Sequence, residues 1–372
     1  MKRIALLTSS RADYSIYYPL ISKFKNDNEL ELDIIAFGNH NSLLYGNSAK
    51  KIEEDGFEIK HKIDGLVLGD NAESISDSMG LTIIKFSSIW KFGKYDLIIC
   101  LGDRFEMFSA VTSSIPFNIP IAHISGGEIT LGAIDNVFRN SLTLMSKFHF
   151  VSTDQYKRQV INLIGVENKN NVFNYGALSI DNLSKMNFLS TNDFKDTFNI
   201  DLDKKSVLIT FHPETVSIQK NKSHIYELLL ALKKLNKYQL IITMPNADTM
   251  GNMIREKLID FIRTNNNAVG VESFGTIGYL TCMKYCEFML GNTSSGFVEA
   301  AFFPKYVINL GDRQKGRIIT PNILNSEITE NSILKAVEKI EVSPVLEKFN
   351  MYGNGDTAEK IFETLKMKLT VK

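Results

Sequence analysis

The sequence of 372 residues contains little cysteine and no long apolar run. Its three cysteines, Cys100, Cys282 and Cys286, are too few for a disulfide scaffold and indicate a protein of the reducing cytoplasm. Cys282 and Cys286 lie one helical turn apart without nearby histidines, which favours core packing over a metal site. Apolar stretches stay well below the ~18 residues of a membrane span, and "IALL" near the start is too short for a signal peptide. We therefore expect no membrane partner.

Net charge is also absent, because Lys+Arg and Asp+Glu both number 42. A protein that binds nucleic acid mainly through phosphates usually carries a basic excess, so nucleic acid is not an expected partner. Any anion site must be local. A hydrophobic content of 44% is ordinary for a globular protein. The length exceeds what one core usually organises, which predicts two domains.

Short apolar runs alternate with longer amphipathic ones along most of the chain. This alternation predicts parallel sheets covered by helices on both faces. The predicted strands are "RIALLTS", "LELDIIAFG", "YDLIICLGD", "IPIAHIS", "FHFVST" and "NVFNYG", and then "SVLITFHPE", "YQLIITMP", "AVGVESFG", "EFMLGN" and "YVINLGD".

The pattern restarts after a polar segment at about residues 177–204, which we interpret as a crossing between domains. The predicted fold class is α/β, with two doubly wound Rossmann-like domains that face a central cleft. Residues 1–176 form the first domain and 177–351 the second, and a C-terminal helix at 352–372 packs back on the first. Asp356 or Thr357 is expected to cap that helix.

The first strand ends in "TSSRADYS" instead of a dinucleotide-binding fingerprint. No G-x-G-x-x-G follows this strand, and no G-x-x-x-x-G-K-[ST] occurs. Ser9, Ser10 and Arg11 stand where a helix begins, so backbone N–H groups and one guanidinium could meet a phosphate. An ordinary helix cap beside a surface arginine is the alternative.

The stretch "LGNTSSGFVEAAFF" has the composition of a phosphate-binding helix start. Gly291 ends a strand, and Thr293, Ser294 and Ser295 precede Gly296 and a predicted helix. Glu299, one turn into that helix, could accept hydrogen bonds from ribose hydroxyls. The alternative is a serine-capped helix with a solvated glutamate.

Further polar loops follow other predicted strands in both halves of the chain. In open α/β sheets ligands bind beyond the carboxyl ends of the strands, where all these loops stand. As isolated features they could equally be structural or solvated. They contain Asp103, Arg104 and Glu106, then His212 and Glu214, then Asn246 and Asp248, and last Arg313, Lys315 and Arg317.

The loop "HISGGEITLGAIDNVFRN" brings His123, Glu128 and Asp135 together with several glycines, just past a strand. Two carboxylates in such a position suit acid–base chemistry, although a merely polar loop would look the same. The glycines would let the backbone approach a sugar.

With these motifs assembled, the chain resembles the hydrolysing UDP-N-acetylglucosamine 2-epimerases of bacterial sialic acid synthesis. "GGE", "GNTSSGFVEAA" and "INLGDRQKGR" are specific to this group. "GGEITLGAID" fits at least as well the sister branch, which acts on a 4-acetamido-6-deoxy version of the UDP-sugar in legionaminic acid synthesis. The resemblance runs essentially end to end, and its other motifs are "TSSRADY", "GDRFEMFSA", "TFHPET" and "PNADT".

The resemblance implies a glycosyltransferase-B-like fold and conversion of UDP-N-acetylglucosamine to N-acetylmannosamine plus UDP. Related enzymes suggest a homo-oligomer, either a dimer or a tetramer. Nothing in the residue spacing requires a metal, and we expect no cofactor. Asp103, Glu128 and Asp135 match the catalytic carboxylates, and His212 would approach the phosphates or the sugar. The implied substrate-binding residues are Arg11, Asn246, Asp248, Gly291, Ser294, Ser295, Gly296, Glu299, Arg313 and Lys315.

The chain departs from the family at Asn140, where relatives often carry a histidine. An amide cannot titrate near neutrality, so we expect the carboxylates to move the protons and position 140 to orient a neighbour. The sister substrate, a non-hydrolysing epimerase, a glycosyltransferase and a catalytically silent sugar-nucleotide sensor remain as alternatives.

Overall fold

The protein forms two compact units, each with its own sheet, in a computed structural model. The structure describes residues 1–25, 27–42, 48–69, 71–245 and 249–370. Unit 1 comprises Met1–Glu128, Asp135–Ser184 and Met351–Lys372, and unit 2 comprises Ile129–Ile134 and Lys185–Asn350. Unit 1 thus extends beyond the predicted boundary at residue 176, and the segment between Glu128 and Asp135 belongs to unit 2.

Unit 1 is a doubly wound layer of parallel strands in the order β3-β2-β1-β4-β5-β6-β7. Its strands are β1 (Lys2–Thr8), β2 (Leu30–Phe37), β3 (Ile59–Ile63), β4 (Leu97–Leu101), β5 (Ile121–Ile124), β6 (Phe148–Val151) and β7 (Val172–Asn174). Its helices are α1 (Arg11–Phe24), α2 (Ala49–Glu54), α3 (Ala72–Gly93), α4 (Phe105–Thr112), α5 (Asp135–Met145), α6 (Asp154–Ile164), α7 (Ser179–Lys185) and, from the C-terminus, α14 (Thr357–Thr370).

The run "IALL" in β1 shows why this sheet is covered on both faces. Successive strand residues point to opposite faces. Ile4 and Leu6 accordingly join the core that includes α1 and α14, whereas Ala5 and Leu7 join the core that includes α3 and α4. A continuous apolar run, rather than an alternating one, is what a strand buried on both faces requires.

Unit 2 repeats the design with parallel strands in the order β10-β9-β8-β11-β12-β13. Its strands are β8 (Ser206–Thr210), β9 (Gln239–Thr243), β10 (Ala268–Val271), β11 (Phe288–Gly291), β12 (Val307–Leu310) and β13 (Ile323–Ser326). Its helices are α8 (Thr191–Phe198), α9 (Asn221–Lys234), α10 (Gly251–Thr264), α11 (Gly275–Tyr285), α12 (Glu299–Phe302) and α13 (Glu330–Glu341). The predicted α/β class with two doubly wound Rossmann-like domains is confirmed.

The sequence pattern missed two strands, β3 and β13, and both lie at a sheet edge. β3 reads "IKHKI", with Lys60 and Lys62 exposed, and β13 is the short "ILNS". Edge strands are often short and polar, because charged side chains discourage pairing with other chains. Their signal in a sequence is correspondingly weak.

The predicted helix over "GFVEAAFF" is largely absent. A 3₁₀ turn covers Ser294–Gly296, and α12 begins at Glu299 and ends at Phe302. Glu299 therefore starts the helix instead of lying one turn inside it. Hydroxyl side chains compete with helical backbone bonding, and Pro304 follows directly, so this segment cannot extend into a long helix.

Among the described residues, no helix combines the length and the apolar character needed to cross a lipid bilayer.

Candidate active site

Asp103 stands at the carboxyl end of β4, next to the point where the strand order of unit 1 reverses. Gly102, just before it, has a φ of 76°, a left-handed conformation that favours glycine. Arg139 of α5 donates a hydrogen bond to the Asp103 carboxylate. Its Nη1 also donates to the backbone carbonyl oxygen of Glu128, at 2.8 Å. One guanidinium thus joins the two loops that carry the predicted carboxylates.

Asp135, the third predicted carboxylate, is the first residue of α5. A carboxylate is favourable there, because the helix dipole places positive charge at the N-terminus. Arg139 lies four residues later and therefore on the same side of the helix. The structure thus places Asp135 one turn before the arginine that contacts Asp103 and the Glu128 segment.

Arg139 itself was missed as a site residue by the sequence analysis. Its exposed fraction is 1%, which is unusual for arginine. Leu142 and Thr143, three and four residues further on, are also buried, so Arg139 lies on the inner face of α5, which the sequence alone did not reveal. A buried guanidinium needs a polar or charged partner, and the partly buried carboxylate of Asp103 is one such partner. Asn140, next to it, is half-buried.

The glycines of the loop after β5 are used for close packing of protein on protein. At Gly127, with a φ of 79°, a Cβ atom would lie 2.5 Å from the backbone oxygen of Tyr156. At Gly132, a Cβ atom would lie 2.3 Å from the backbone oxygen of Asp312. At these two positions glycine is required by packing against protein backbone, and the approach of a sugar to this loop stays a prediction.

At the end of β1 the serines bind a neighbouring carboxylate. Asp13 accepts hydrogen bonds from the Ser9 backbone N–H at 2.8 Å and from the Ser9 hydroxyl at 2.6 Å. The Ser10 hydroxyl donates to the same carboxylate and caps α1 by accepting from the Asp13 backbone N–H. For Ser9 and Ser10 the ordinary-cap alternative is therefore the better description. Arg11 begins α1 and is exposed, and its role in substrate binding stays a prediction.

Glu106, in the first turn of α4 after β4, is a second buried acidic group near Asp13. It receives two hydrogen bonds from Arg104, at 3.0 and 3.1 Å. Burial raises the pKa of Glu106, and the Asp13 charge raises it further, while Arg104 opposes both. A Cβ atom at Gly38 would lie 3.3 Å from Glu106 Cγ and 2.8 Å from the Ser9 backbone oxygen, so the ends of β1, β2 and β4 lie close together.

In unit 2, His212 follows β8 and is fixed through its backbone. The Asn292 side chain accepts from the His212 backbone N–H at 2.7 Å and donates to its carbonyl oxygen at 2.8 Å. Gln314 then donates to the Asn292 carbonyl oxygen at 2.9 Å. The ends of β8, β11 and β12 are thereby connected around His212, and neither Asn292 nor Gln314 was predicted as a site residue.

The serine-rich loop after β11 is also held from inside the unit. The Tyr279 hydroxyl lies 2.6 Å from the Ser295 hydroxyl, and Ser294 is exposed. Burial raises the pKa of Tyr279 to about 12, so it remains a neutral hydrogen-bonding group. Gly291 has a φ of 148°, and a Cβ atom there would lie 1.9 Å from the Thr210 backbone oxygen. This glycine allows β11 and β8 to approach each other at the loop.

The predicted positive cluster after β12 separates into three different environments. Arg313 donates to the Pro213 carbonyl oxygen at 2.6 Å. Arg317 is buried and donates to the Gln314 side chain at 2.6 Å. Lys315 is exposed and lies 3.5 Å from an Asp312 carboxylate oxygen. Its backbone oxygen accepts from the N–H of Leu131, in the segment that follows Glu128.

Two predicted binding residues, Asn246 and Asp248, lie outside the described residues. Across the described ranges, no group of three or more histidine, cysteine, aspartate or glutamate side chains has the arrangement of a metal site.

Comparison with known proteins gives consistent matches over nearly the whole chain. The family model described as UDP-N-acetylglucosamine 2-epimerase matches residues 22–366. A Campylobacter jejuni protein named GDP/UDP-N,N'-diacetylbacillosamine 2-epimerase (hydrolyzing) is 39% identical over 341 residues, which cover 91% of this chain and 88% of that protein. A Legionella pneumophila protein named UDP-N,N'-diacetylbacillosamine 2-epimerase (hydrolyzing) is 29% identical over 366 residues. The alignment covers 98% of this chain and 96% of that protein.

The fold has matches among solved structures. The crystal structure of UDP-GlcNAc 2-epimerase from Neisseria meningitidis bound to UDP-GlcNAc aligns with a TM-score of 0.82. Sequence identity is 17%, and the alignment covers 98% of this chain and 99% of the other. At this identity the likeness concerns the fold.

Proposed function

Since the chain belongs to the UDP-N-acetylglucosamine 2-epimerase family, we propose that it is a hydrolysing 2-epimerase of UDP-N,N'-diacetylbacillosamine. This UDP-sugar carries acetamido groups at carbons 2 and 4 and lacks the hydroxyl group at carbon 6. The products are UDP and the free sugar with inverted configuration at carbon 2. The names of the Campylobacter and Legionella relatives support this substrate.

The observation that carries the chemical part of the proposal is the contact of Arg139 with both carboxylate-bearing loops. The guanidinium contacts the carboxylate of Asp103 and the backbone of Glu128, and it lies one turn after Asp135. A reaction that removes and returns a proton at a weakly acidic carbon needs several acid–base groups held in fixed positions.

The proposed sequence of steps begins with cleavage of the bond between carbon 1 and the phosphate oxygen, because carbon 2 is not adjacent to a carbonyl. UDP leaves with the bonding electron pair, and an oxocarbenium-like cation remains. One carboxylate takes the proton from carbon 2, which gives a double bond between carbons 1 and 2. A proton then returns from the opposite face, and water activated by a carboxylate adds at carbon 1.

In unit 2 we assign nucleotide binding to the ends of β8 and β11. His212, held by Asn292, is suited to stabilise the charge of the leaving diphosphate, together with Ser294 and Ser295. Glu299 is suited to accept hydrogen bonds from the ribose hydroxyls. Loss of one donor to a developing negative charge typically costs about 3 kcal/mol of transition-state stabilisation.

UDP-N-acetylglucosamine is the second candidate substrate, with N-acetylmannosamine as its product. It is favoured by the description of the family model and by the sialic acid branch of the resemblance. The two candidates differ at carbons 4 and 6 of the sugar, so the choice concerns specificity and not the reaction type.

The test is an incubation of the purified protein with UDP-N,N'-diacetylbacillosamine, its GDP analogue and UDP-N-acetylglucosamine in separate D₂O reactions. We expect equal amounts of UDP and free 2-epimerised sugar, with one deuterium at carbon 2. The diacetamido substrate should have a kcat/KM roughly tenfold or more above that of UDP-N-acetylglucosamine, because the two sugars differ in their substituents at carbons 4 and 6.

Other outcomes identify the alternatives. A UDP-linked epimer as the product would indicate a non-hydrolysing epimerase, and retention at carbon 2 with transfer to an added acceptor would indicate a glycosyltransferase. Tight UDP binding without turnover of any of the three nucleotides would indicate a sensor.

A further inference from the structure

His123 is a fully buried histidine that has no part in the proton transfers proposed above. It lies on β5, and its exposed fraction is 0%. Asp103 follows the neighbouring strand β4, and Glu128 follows β5 itself. The His123 ring is therefore placed below two loops that carry proposed catalytic carboxylates.

The ring bonds to one of these loops through its Nε2 atom. Nε2 lies 2.8 Å from the Gly102 carbonyl oxygen, which can only accept, so Nε2 carries the hydrogen. Nδ1 lies 3.2 Å from the Thr143 hydroxyl and accepts from it. Both ring nitrogens are thus used inside the protein, and the pattern defines a single neutral tautomer.

The second loop packs directly onto the same ring. A Cβ atom at Gly126 would lie 3.1 Å from His123 Nδ1 and 3.0 Å from the Thr143 hydroxyl. The absence of a side chain at Gly126 therefore lets the chain pass over the imidazole two residues before Glu128.

The hydrogen bond from His123 to Gly102 matters because Gly102 directly precedes Asp103. Glycine tolerates a wide range of backbone conformations, and a φ of 76° leaves the direction of its carbonyl weakly determined by local sterics. The Gly102 N–H is bonded to the Ile124 carbonyl oxygen at 3.0 Å, and its own carbonyl is bonded to His123. Both sides of this residue are thus fixed to β5 immediately before Asp103.

We propose that His123 is a positioning residue, which fixes the Asp103 loop against the Glu128 loop through the Gly102 carbonyl. The proposal rests on the proposed function, because it takes Asp103 and Glu128 as acid–base groups. In this role His123 does not touch the substrate, because the ring is enclosed and both of its nitrogens are bonded to protein groups.

The charges around the ring agree with a neutral positioning group. Burial lowers the pKa of His123 to about 4, the Gly102 bond and Asp103 oppose this shift, and Arg139 adds to it. His149, its register partner on β6, is a second buried histidine whose burial lowers its pKa to about 3. The His123 ring is therefore uncharged near neutral pH.

The decisive experiment compares two amide substitutions at two histidines. In His123→Gln the amide nitrogen takes the place of Nε2 and can still donate to Gly102, whereas in His123→Asn it takes the place of Nδ1 and cannot. His149→Gln and His149→Asn are the matched controls, since His149 is equally buried and pairs with His123 in register.

We expect His123→Asn to lower kcat for UDP release about 100-fold, with KM and UDP affinity nearly unchanged, because a displacement of about 1 Å costs that much. His123→Gln should recover at least roughly tenfold of this loss, and its profile of log kcat against pH should parallel that of the wild type. Both His149 variants should keep kcat within about twofold.

The proposal is overturned if His123→Asn keeps wild-type kcat, or if His123→Gln is as impaired as His123→Asn. It is also overturned if the Gln variant loses a limb of the pH profile, because that would make His123 a proton carrier. Should His123→Asn not fold, the Gln variant alone decides, and a kcat about 100-fold below wild type contradicts the proposal.

Hydrogen–deuterium exchange provides a readout that does not depend on turnover. His123→Asn should speed exchange at Gly102 and Asp103, and His149→Asn should not. A wild-type protein that releases UDP from none of the sugar nucleotides would refute the proposed function. Faster exchange at Gly102 in His123→Asn would still support the role of His123 in holding this loop, and unchanged or slower exchange would overturn it.

Discussion

The side chain of Arg139 shows how much of the candidate site depends on one residue. Its guanidinium is enclosed and bonds to the Asp103 carboxylate and the Glu128 carbonyl oxygen. Removing the buried Arg139 leaves the partly buried Asp103 carboxylate without its cation and the Glu128 carbonyl oxygen without this donor, which costs more than the pair contributes. Arg139 therefore affects both the stability of unit 1 and the position of two proposed catalytic groups.

We predict that Arg139→Leu lowers the free energy of unfolding by about 3 kcal/mol and abolishes UDP release. Arg139→Lys should restore part of the stability and little of the activity, because an ammonium cannot make the two directed contacts of a guanidinium. Urea unfolding and UDP release measured on both variants check this. Equal activity of the Lys variant and the wild type would contradict the positioning role of the Arg139 guanidinium.

A second prediction at this scale concerns acid stability. Burial lowers the pKa of His40 and His149 to about 3 and that of His123 to about 4. Below an unfolded-state pKa of about 6.5, the unfolded chain binds protons that the folded chain does not. The stability associated with these neutral rings is thus complete above that pH and is lost as the pH falls through 6.5 towards the folded-state pKa values of about 3 to 4.

His149→Phe should therefore reduce the slope of unfolding free energy against pH by about 1 kcal/mol per unit between about pH 6 and pH 5. Urea titrations at several pH values on wild type and variant measure this slope. An unchanged slope would mean that His149 is protonated in the folded protein.

Among the elements, helix α14 illustrates a cap that the sequence could not assign. Asp356 and Thr357 were the predicted capping residues. In the structure the Asp181 carboxylate, from α7, accepts from the backbone N–H groups of Thr357 and Ala358, at 3.0 and 2.6 Å. Asp356 instead pairs with Lys360 on the surface. A capping group from a distant part of the chain leaves no local sequence signal.

We predict that Asp181→Ala lowers the free energy of unfolding by about 1–2 kcal/mol, as the loss of a helix cap does. The matched control is Asp356→Ala, which removes an exposed pair and should change stability by less than about 0.5 kcal/mol. Thermal and urea unfolding of both variants measure the difference. A larger loss of unfolding free energy in Asp356→Ala than in Asp181→Ala would instead support Asp356 as the helix cap, as the sequence predicted.

At the scale of the whole molecule, the family membership predicted from the motifs is confirmed by the match over residues 22–366, and the chain is an epimerase of that family. In the proposed function, unit 1 supplies the acid–base carboxylates and unit 2 binds the nucleotide. Variants in the two units should then differ in kind: one set should affect turnover, the other affinity.

We predict that Asp103→Asn and Glu128→Gln each lower kcat at least about 100-fold and leave the Kd for UDP within about threefold. Glu299→Gln should weaken UDP binding about tenfold, since a hydrogen bond to a charged group contributes roughly 1.5–3 kcal/mol. Calorimetry with UDP and a UDP-release assay separate the two effects. Unchanged turnover in both carboxylate variants would remove these residues from the active site.

What the sequence determined by itself is what short-range patterns encode. Continuous apolar runs such as "IALL" predict strands buried on both faces, and polar loops at strand ends predict the positions of Asp103, Glu128 and His212. The motifs also identify the family. Edge strands β3 and β13 were missed, because a polar edge carries little of this periodic signal.

The tertiary structure alone decided which of these residues meet. Arg139, His123 and Asn292 act through partners on other elements, and a hydrogen bond between distant segments has no signature in the order of residues. It also showed that Gly127 and Gly132 pack closely against backbone, and it reduced the predicted helix after Ser295 to a 3₁₀ turn and a short α12. The reason is physical: burial and close contact are properties of space, and the sequence specifies them only through the complete fold.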